Sequence, residues 1–189
     1  MKTELLIGCG NNHEKRILQP GDKREWHNLI TLDFSEDCRP DVVHDLEELP
    51  YPFGDNTFDE IHAYEVLEHT GQQGDWRFFF NQFAEFHRIL KPNGVLIGTV
   101  PRWDSVWAWG DPSHKRVLSC ATFTFLDQRQ YEEQVGKTSM SDYRDFWKLN
   151  FPLIWIDETE KDTFKFALRA EKNVSTGHGD NDVEQREPV

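Results

Sequence analysis

Short apolar runs, each closed by a glycine turn or an acid, dominate the first hundred residues. Residues 3–8 (TELLIG) make a strand-length run that enters a Gly/Asn turn, GCGNN. Residues 28–33 (NLITLD) and 40–45 (PDVVHD) repeat the pattern and end in Asp33 and Asp45. Residues 59–64 (DEIHAY) and 95–100 (VLIGTV) supply a fourth and a fifth strand. Between those two, Phe79, Phe80, Phe83, Phe86, Ile89 and Leu90 form a helical stripe over 76–90, stopped by Lys91-Pro92-Asn93-Gly94. A further short helix is expected over 13–19, ended by Pro20-Gly21. Strands alternating with helices predict a parallel α/β sheet.

After Pro101 the pattern changes. Residues 102–116 are rich in Trp, Gly, Asp and Pro and read as a loop or lid, with helices expected over 125–135 and, behind plausible Ser caps, over 139–149. PLIWID (152–157), a polar turn and the alternating segment TFKFALRAEK (163–172) predict an antiparallel hairpin. The remaining residues, 173–189, are Gly/Asp/Glu-rich and almost without apolar positions, and are expected to be a disordered acidic tail. The chain thus divides into one domain over 1–172, with 102–150 as a substrate-facing insertion, and a tail.

At 189 residues the chain suits a single domain. Its 7 Trp and 14 Phe point to a bulky core or a flat aromatic surface. A net charge of −13 repels polyanions, so a nucleic-acid partner is disfavoured and a neutral or cationic small molecule, or a protein, is favoured. Cys9, Cys38 and Cys120 form no CxxC pair, which argues against a disulfide framework or zinc cluster and for a reducing cytoplasm. No signal peptide or membrane-spanning run is visible. None of the eight histidines falls into HExxH or a comparable spacing, so no metal is expected.

Two features carry chemistry without further help. A strand running into Gly8-Cys9-Gly10 lets backbone N–H groups approach a ligand, and an acid about 20 residues on, Asp33, can accept hydrogen bonds from both hydroxyls of a ribose. That pair fits a nucleoside site but does not separate a methyl donor from a dinucleotide. The stretch DLEELPYPFGDNTFDEIHAYEVLEH (45–69) is more specific. It resembles the middle of class I S-adenosylmethionine-dependent methyltransferases, as KPNGVLIGTVP (91–101) resembles their turn and fifth strand and the hairpin resembles their last two strands. The resemblance spans residues 5 to about 172 and is strongest over 41–101. It implies a Rossmann-like fold with a mostly parallel sheet, helices on both faces and a C-terminal antiparallel hairpin.

The same resemblance implies roles. Gly8 and Gly10, with the main chain at Ile7 and Cys9, would cradle the methionine part of S-adenosylmethionine. Asp33 would hold the ribose, Phe34 would pack on the adenine, and Asp45 with the Leu46 backbone would bind the adenine amino group. Tyr64, Glu65 and His69 would line the cleft near the methyl. Leu6 stands where the family has an acid and Asn12 where it has a third glycine; a subset with an LxLGCG start and a DPxHxR motif, matched here by Asp111, Pro112, His114 and Arg116, shares both changes. Asp111, His114 and Arg116 offer an acid/base group and an anion contact, or else tie the loop down. Trp103, Trp107 and Trp109 are candidates to stack on a planar substrate; core packing and a dimer contact are equal alternatives. If a general base is used, His69, Asp111 and His114 are the candidates, in that order. The acceptor is unidentified, and the chain is expected to be a monomer or homodimer. Competing readings are an NAD-type oxidoreductase and a methyltransferase-like binding module without activity.

Overall fold

The computed structural model describes residues 2–18 and 24–172. The end of the expected 13–19 helix, its Pro20-Gly21 stop and the expected tail at 173–189 lie outside these residues. Seven strands form one sheet: β1 (Thr3–Ile7), β2 (Asn28–Asp33), β3 (Val42–Val43), β4 (Phe58–Tyr64), β5 (Leu90–Pro101), β6 (Leu153–Asp157) and β7 (Thr163–Arg169). The order across the sheet is β3-β2-β1-β4-β5-β7-β6. The first five strands pair in parallel, whereas β7 runs antiparallel to both β5 and β6. β1 lies between β2 and β4, and the chain reverses its direction of travel across the sheet there, which puts the crevice of such a fold at the carboxyl ends of β1, β2 and β4.

One face of the sheet is apolar and carries the helices. Leu5, Ile7, Leu32, Ile61, Ala63, Leu96, Val100, Phe164, Phe166 and Leu168 meet α1 (Trp76–Ile89) through Phe79, Phe80, Phe83, Phe86 and Ile89. The Asp75 side chain caps α1 by accepting the Phe78 amide at 3.0 Å. α1 ends at Ile89 and passes straight into β5, so the expected stop at 91–94 lies within that strand: Leu90 already pairs with Phe58, and a bulge follows before Val95 pairs with Glu60. Beyond β5 come α2 (Val106–Gly110), α3 (Cys120–Phe123) and α4 (Gln128–Gln134). Phe123, Leu126, Tyr131, Trp147 and Phe151 are buried in the same core as α1. The second half of the expected 102–150 insertion thus contributes a wall of the core. The expected helix over 139–149 is irregular chain anchored by Trp147, whose Nε1 donates to the Leu126 carbonyl at 3.1 Å.

The opposite face departs from the expectation of helices on both sides. Among the described residues no helix covers it, and 13–18 is irregular chain rather than the expected helix. The strand positions explain this. Next to Leu6, Tyr64, Ile97 and Ala167, the face presents Glu4, Glu60 and His62, all buried. Lys15 reaches in from the irregular segment, ion-paired with Glu4 at 2.5 Å and Glu60 at 3.3 Å. Lys2 pairs with Glu60 at 2.6 Å, and His62 Nε2 lies 3.0 Å from the same carboxylate. The Tyr64 hydroxyl accepts the Arg16 and Ile17 amides at 3.2 and 3.3 Å, and Trp26 packs edge-on against His62. A charged face cannot be closed by an apolar helix stripe, so the chain closes it with a lysine and main-chain amides.

Removing one partner of a buried ion network leaves the remaining charges uncompensated. Lys15→Ala should therefore lower stability by about 3–5 kcal/mol, read as a shift of the urea midpoint without a large change in slope. A loss below about 0.5 kcal/mol would contradict this account of the second face.

Candidate functional site

A cavity of about 500 Å3 opens at the carboxyl ends of β1, β2 and β4. Gly8, Asp33, Phe34, His44, Asp45, Leu46, Glu47, Glu65, Val66, His69, Thr70, Ser113 and Lys115 line it. The turn after β1 places its glycines in the left-handed region, with φ of +57° at Gly8 and +52° at Gly10. At Gly8 a Cβ would lie 2.3 Å from Val66 Cγ2, so the turn packs directly on the segment after β4. At Gly10 a Cβ would have no atom within 4 Å.

Asp33 ends β2 and is buried. Its Oδ2 accepts the Gly10 amide at 2.9 Å and its Oδ1 accepts the Ser35 amide at 2.9 Å, which ties the tips of β1 and β2 together. Phe34, next in the chain, is 76% exposed at the cavity wall. Asp45 is exposed, and its Oδ1 accepts the Glu47 amide at 2.9 Å. The Leu46 carbonyl is held by the Tyr51 hydroxyl at 3.2 Å and Gln82 Nε2 at 3.3 Å. Glu65 adopts φ of +51°, and its amide donates to the Thr99 carbonyl at 2.9 Å. Ile7 is buried, with only its main chain at the turn, and the Cys9 side chain lies in the core of the second face. Burial, with Asp33 nearby, pushes the Cys9 thiol up to about 11.

A 3-10 turn at Leu67–His69 forms the far wall. The segment 111–116 crosses over it and is pinned there: the Lys115 and Arg116 amides donate to the Glu68 carbonyl at 2.8 and 3.3 Å, and Lys115 Nζ pairs with Glu47 at 2.8 Å. The His69 and His114 rings meet edge-on with centroids 4.7 Å apart. His69 Nδ1 lies 3.1 Å from Ser113 Oγ, and His114 Nε2 lies 3.8 Å from Asp111. Bonds from the Ser113 hydroxyl and amide hold the Asp111 carboxyl below the usual carboxylate range.

Glu68, not singled out from the sequence, is buried between these histidines, and neither carboxylate oxygen has a hydrogen-bond partner. Burial, reinforced by Glu65, pushes its carboxyl up to about 8. Its signal was the spacing Glu65-x-x-Glu68-His69, which sets two acids and a histidine on one tight turn. Thr70, Ser113 and Lys115 were also missed, because only the crossing of segment 111–116 brings that region to the cavity.

Two expected substrate contacts are corrected. Tyr64 alternates with Ala63 onto the second face, where its hydroxyl fastens residues 16 and 17. Arg116 is buried beneath the wall, its guanidinium donating to the Leu67 carbonyl at 3.0 Å and to Thr70 Oγ1 at 2.9 Å, with Gln82 Oε1 as a further acceptor. That burial brings its pKa down to about 10. It braces the turn and offers no free face to an anion. Trp103, Trp107 and Trp109 are exposed on and before α2 and do not line the cavity; Trp109 Nε1 donates to the Trp103 carbonyl at 2.9 Å.

If Val66 fills the space beside Gly8, alanine should be tolerated far worse there than at Gly10. We expect Gly10→Ala to cost about 1–2 kcal/mol from its left-handed backbone, and Gly8→Ala a further 1–3 kcal/mol from overpacking, measured by chemical denaturation. Equal losses would contradict the packing described for this turn.

Comparisons with known proteins agree with the geometry. A family model described as a methyltransferase domain matches residues 5–98, the segment that runs from β1 through β5 and contains the glycine turn, Asp33, Asp45 and the 67–69 turn. An uncharacterized chloroplastic methyltransferase of Arabidopsis thaliana is 24% identical over 77% of this chain and 44% of its own length, so the chain spans less than half of that relative. A solved S-adenosylmethionine-dependent methyltransferase from Archaeoglobus fulgidus shares the fold with a TM-score of 0.53, at 17% identity over 89% of this chain and 86% of that one. The N-methyltransferase NodS from Bradyrhizobium japonicum, solved with S-adenosyl-L-homocysteine, shares it with a TM-score of 0.52, at 16% identity over 90% and 79%. With its glycine turn, its acids at the ends of β2 and after β3, and its terminal antiparallel strand, the chain carries a methyltransferase domain over residues 5–98 on the fold of the solved S-adenosylmethionine-dependent methyltransferases.

Proposed function

We infer that the chain transfers the methyl group of S-adenosylmethionine to a nitrogen or oxygen acceptor on a small molecule or protein. The observation that carries this reading is the convergence of Gly8, Asp33, Phe34, Asp45 and Leu46, drawn from three strand ends, on one cavity. The residues fit the cofactor. The cavity, about 500 Å3, falls in the range of small-molecule sites, roughly 300–1,000 Å3. Each oxygen of Asp33 holds one amide and keeps acceptor capacity for a ribose hydroxyl. The space beside Gly10 is open.

In this reading Asp33 holds the ribose, Phe34 gives the adenine a face, and Asp45 with the Leu46 main chain meets the adenine amino group. The main chain from Ile7 to Gly10 and the carboxylate of Glu65 serve the methionine end. S-adenosylmethionine supplies a methyl on a sulfonium with a good leaving group. The protein's task is then alignment and exclusion of water, which is worth roughly 7–11 kcal/mol of barrier when complete. His69 is the group placed to take a proton where the acceptor is protonated. His114 and Asp111 are positioning residues: neither lines the cavity, and both stand behind His69.

Carboxylates outnumber cations at the wall, with Asp33, Asp45, Glu47 and Glu65 against Lys115. Together with the net charge of −13 this favours a neutral or cationic acceptor over a nucleic acid. No helix among the described residues is long and apolar enough to cross a membrane. Cys9, Cys38 and Cys120 are free thiols, in keeping with a reducing, cytoplasmic setting.

Charged hydrogen bonds contribute about 1.5–3 kcal/mol each. Asp33→Asn should therefore weaken S-adenosylhomocysteine binding by about 10- to 100-fold in calorimetric titration while the protein stays folded by circular dichroism. An affinity within threefold of the parent's would remove Asp33 from the ribose.

A further inference from the structure

A buried carboxylate with no partner calls for an explanation. Glu68 is 2% exposed, and both its oxygens are shielded from solvent without a donor. Arg116, the nearby cation, directs its guanidinium instead to the Leu67 carbonyl, Thr70 and Gln82. Beside Glu68 stand His69 and His114, and one ligand atom from each of the three residues lies within 4.8 Å of the others. His114 Nδ1 is likewise buried without a partner. Three potential ligands, two of them orphaned, thus face one another.

A second cluster in the molecule makes the contrast plain. Glu4, Glu60 and His62 also gather within 4.8 Å, but Lys2 and Lys15 already occupy their carboxylates. Glu68 has no such ion pair among the described residues, and Glu65 lies close to it.

We propose that Glu68, His69 and His114 form a binding site for a divalent first-row transition cation beside the methyl-transfer cavity. Two imidazoles and one carboxylate form a ligand set that suits zinc, cobalt, iron or manganese better than calcium or magnesium, which take oxygen ligands. The outer contacts also suit ligation. A metal-bound histidine is held through its other nitrogen by a carboxylate, carbonyl or similar group. His69 Nδ1 lies 3.3 Å from the Ser113 carbonyl and 3.1 Å from its hydroxyl, which leaves Nε2 for the ion. His114 Nε2 faces Asp111 at 3.8 Å, which leaves the orphaned Nδ1. Asp111 and Ser113 are themselves joined by hydrogen bonds of 2.6 and 2.8 Å, so one short loop fixes both rings. Ligands bound at about 2.0–2.2 Å around one ion stand roughly 3.4 Å apart, so the three side chains close inward by small rotations when the ion enters. The ion would border the cavity through His69, which lines it, and with the ion bound His69 is a ligand and no longer the proton acceptor of the metal-free site.

The site is independent of the cofactor assignment and is tested on the whole chain after EDTA treatment and dialysis. We expect one Zn2+ per chain by calorimetry, visible d–d absorption on adding Co2+, and a Tm raised by about 5–10 °C at a hundredfold excess of Zn2+ over Kd. Mg2+ should produce no shift. Glu68→Gln and His114→Gln should each weaken Zn2+ binding at least about 100-fold. Glu68→Gln should not lower the metal-free Tm, since an uncharged amide of nearly the same shape takes the place of a carboxyl that makes no hydrogen bond. No transition-ion binding by the parent, unchanged Zn2+ affinity in both variants, or an equal response to Mg2+ would each overturn the proposal. A parallel titration with S-adenosylhomocysteine keeps the two readings apart: binding of that compound without Zn2+ binding sinks the cation site alone.

Discussion

One carboxylate organises the cleft. Asp33 bonds the Gly10 amide across from β1 and the Ser35 amide in its own turn, and so fixes the separation and pitch of two neighbouring strand tips. Parallel strands need such a tie, because their carboxyl ends are joined by no hairpin and would otherwise splay. The left-handed glycines follow from it. Only a chain turning sharply at Gly8 can lie against Val66 and still present the Gly10 amide to Asp33. With β1, β2 and β4 held in this way, the cavity lies where an open α/β sheet offers main-chain amides and acids to a ligand.

The two faces of the sheet show how differently one sheet can be closed. On the α1 side, phenylalanines at helical spacing interdigitate with the strands, and α3, α4 and Trp147 extend the same core. On the other side Glu4, Glu60 and His62 replace apolar positions, and Lys15 and Trp26 lie over them. Among the described residues, buried ion pairs there take the place of helix packing. Such a network is weak evidence for stability but enforces register, since moving the segment by one residue would strand the charges.

Sequence patterns made most of this architecture legible, for reasons that differ from element to element. β2 and the α1 stripe were readable because each buries one clean periodic face: NLITLD ends where the strand ends, and the phenylalanine spacing matches the turn of a helix. Asp33 was readable as an acid at a strand end, and Asp45, Glu65 and His69 through the family resemblance; all four line the cavity. Over 13–18 and 139–149 the helical reading fails because tertiary bonds, from Lys15 to Glu4 and Glu60 and from Trp147 to the Leu126 carbonyl, outweigh weak local propensity. Tyr64 and Arg116 were misplaced for a related reason: which face a strand-end residue takes, and whether a loop arginine turns inward, is decided by distant partners. Glu68 escaped notice because its burial depends on a segment more than forty positions away.

The central claim is that these strand tips hold a methyl donor's nucleoside and not a nicotinamide dinucleotide. The most direct measurement is a side-by-side calorimetric titration of the unmodified protein with S-adenosylhomocysteine and with NAD. Saturable one-to-one binding is expected of the first and no detectable heat of binding from the second. Binding of NAD, or indifference to both, would contradict it.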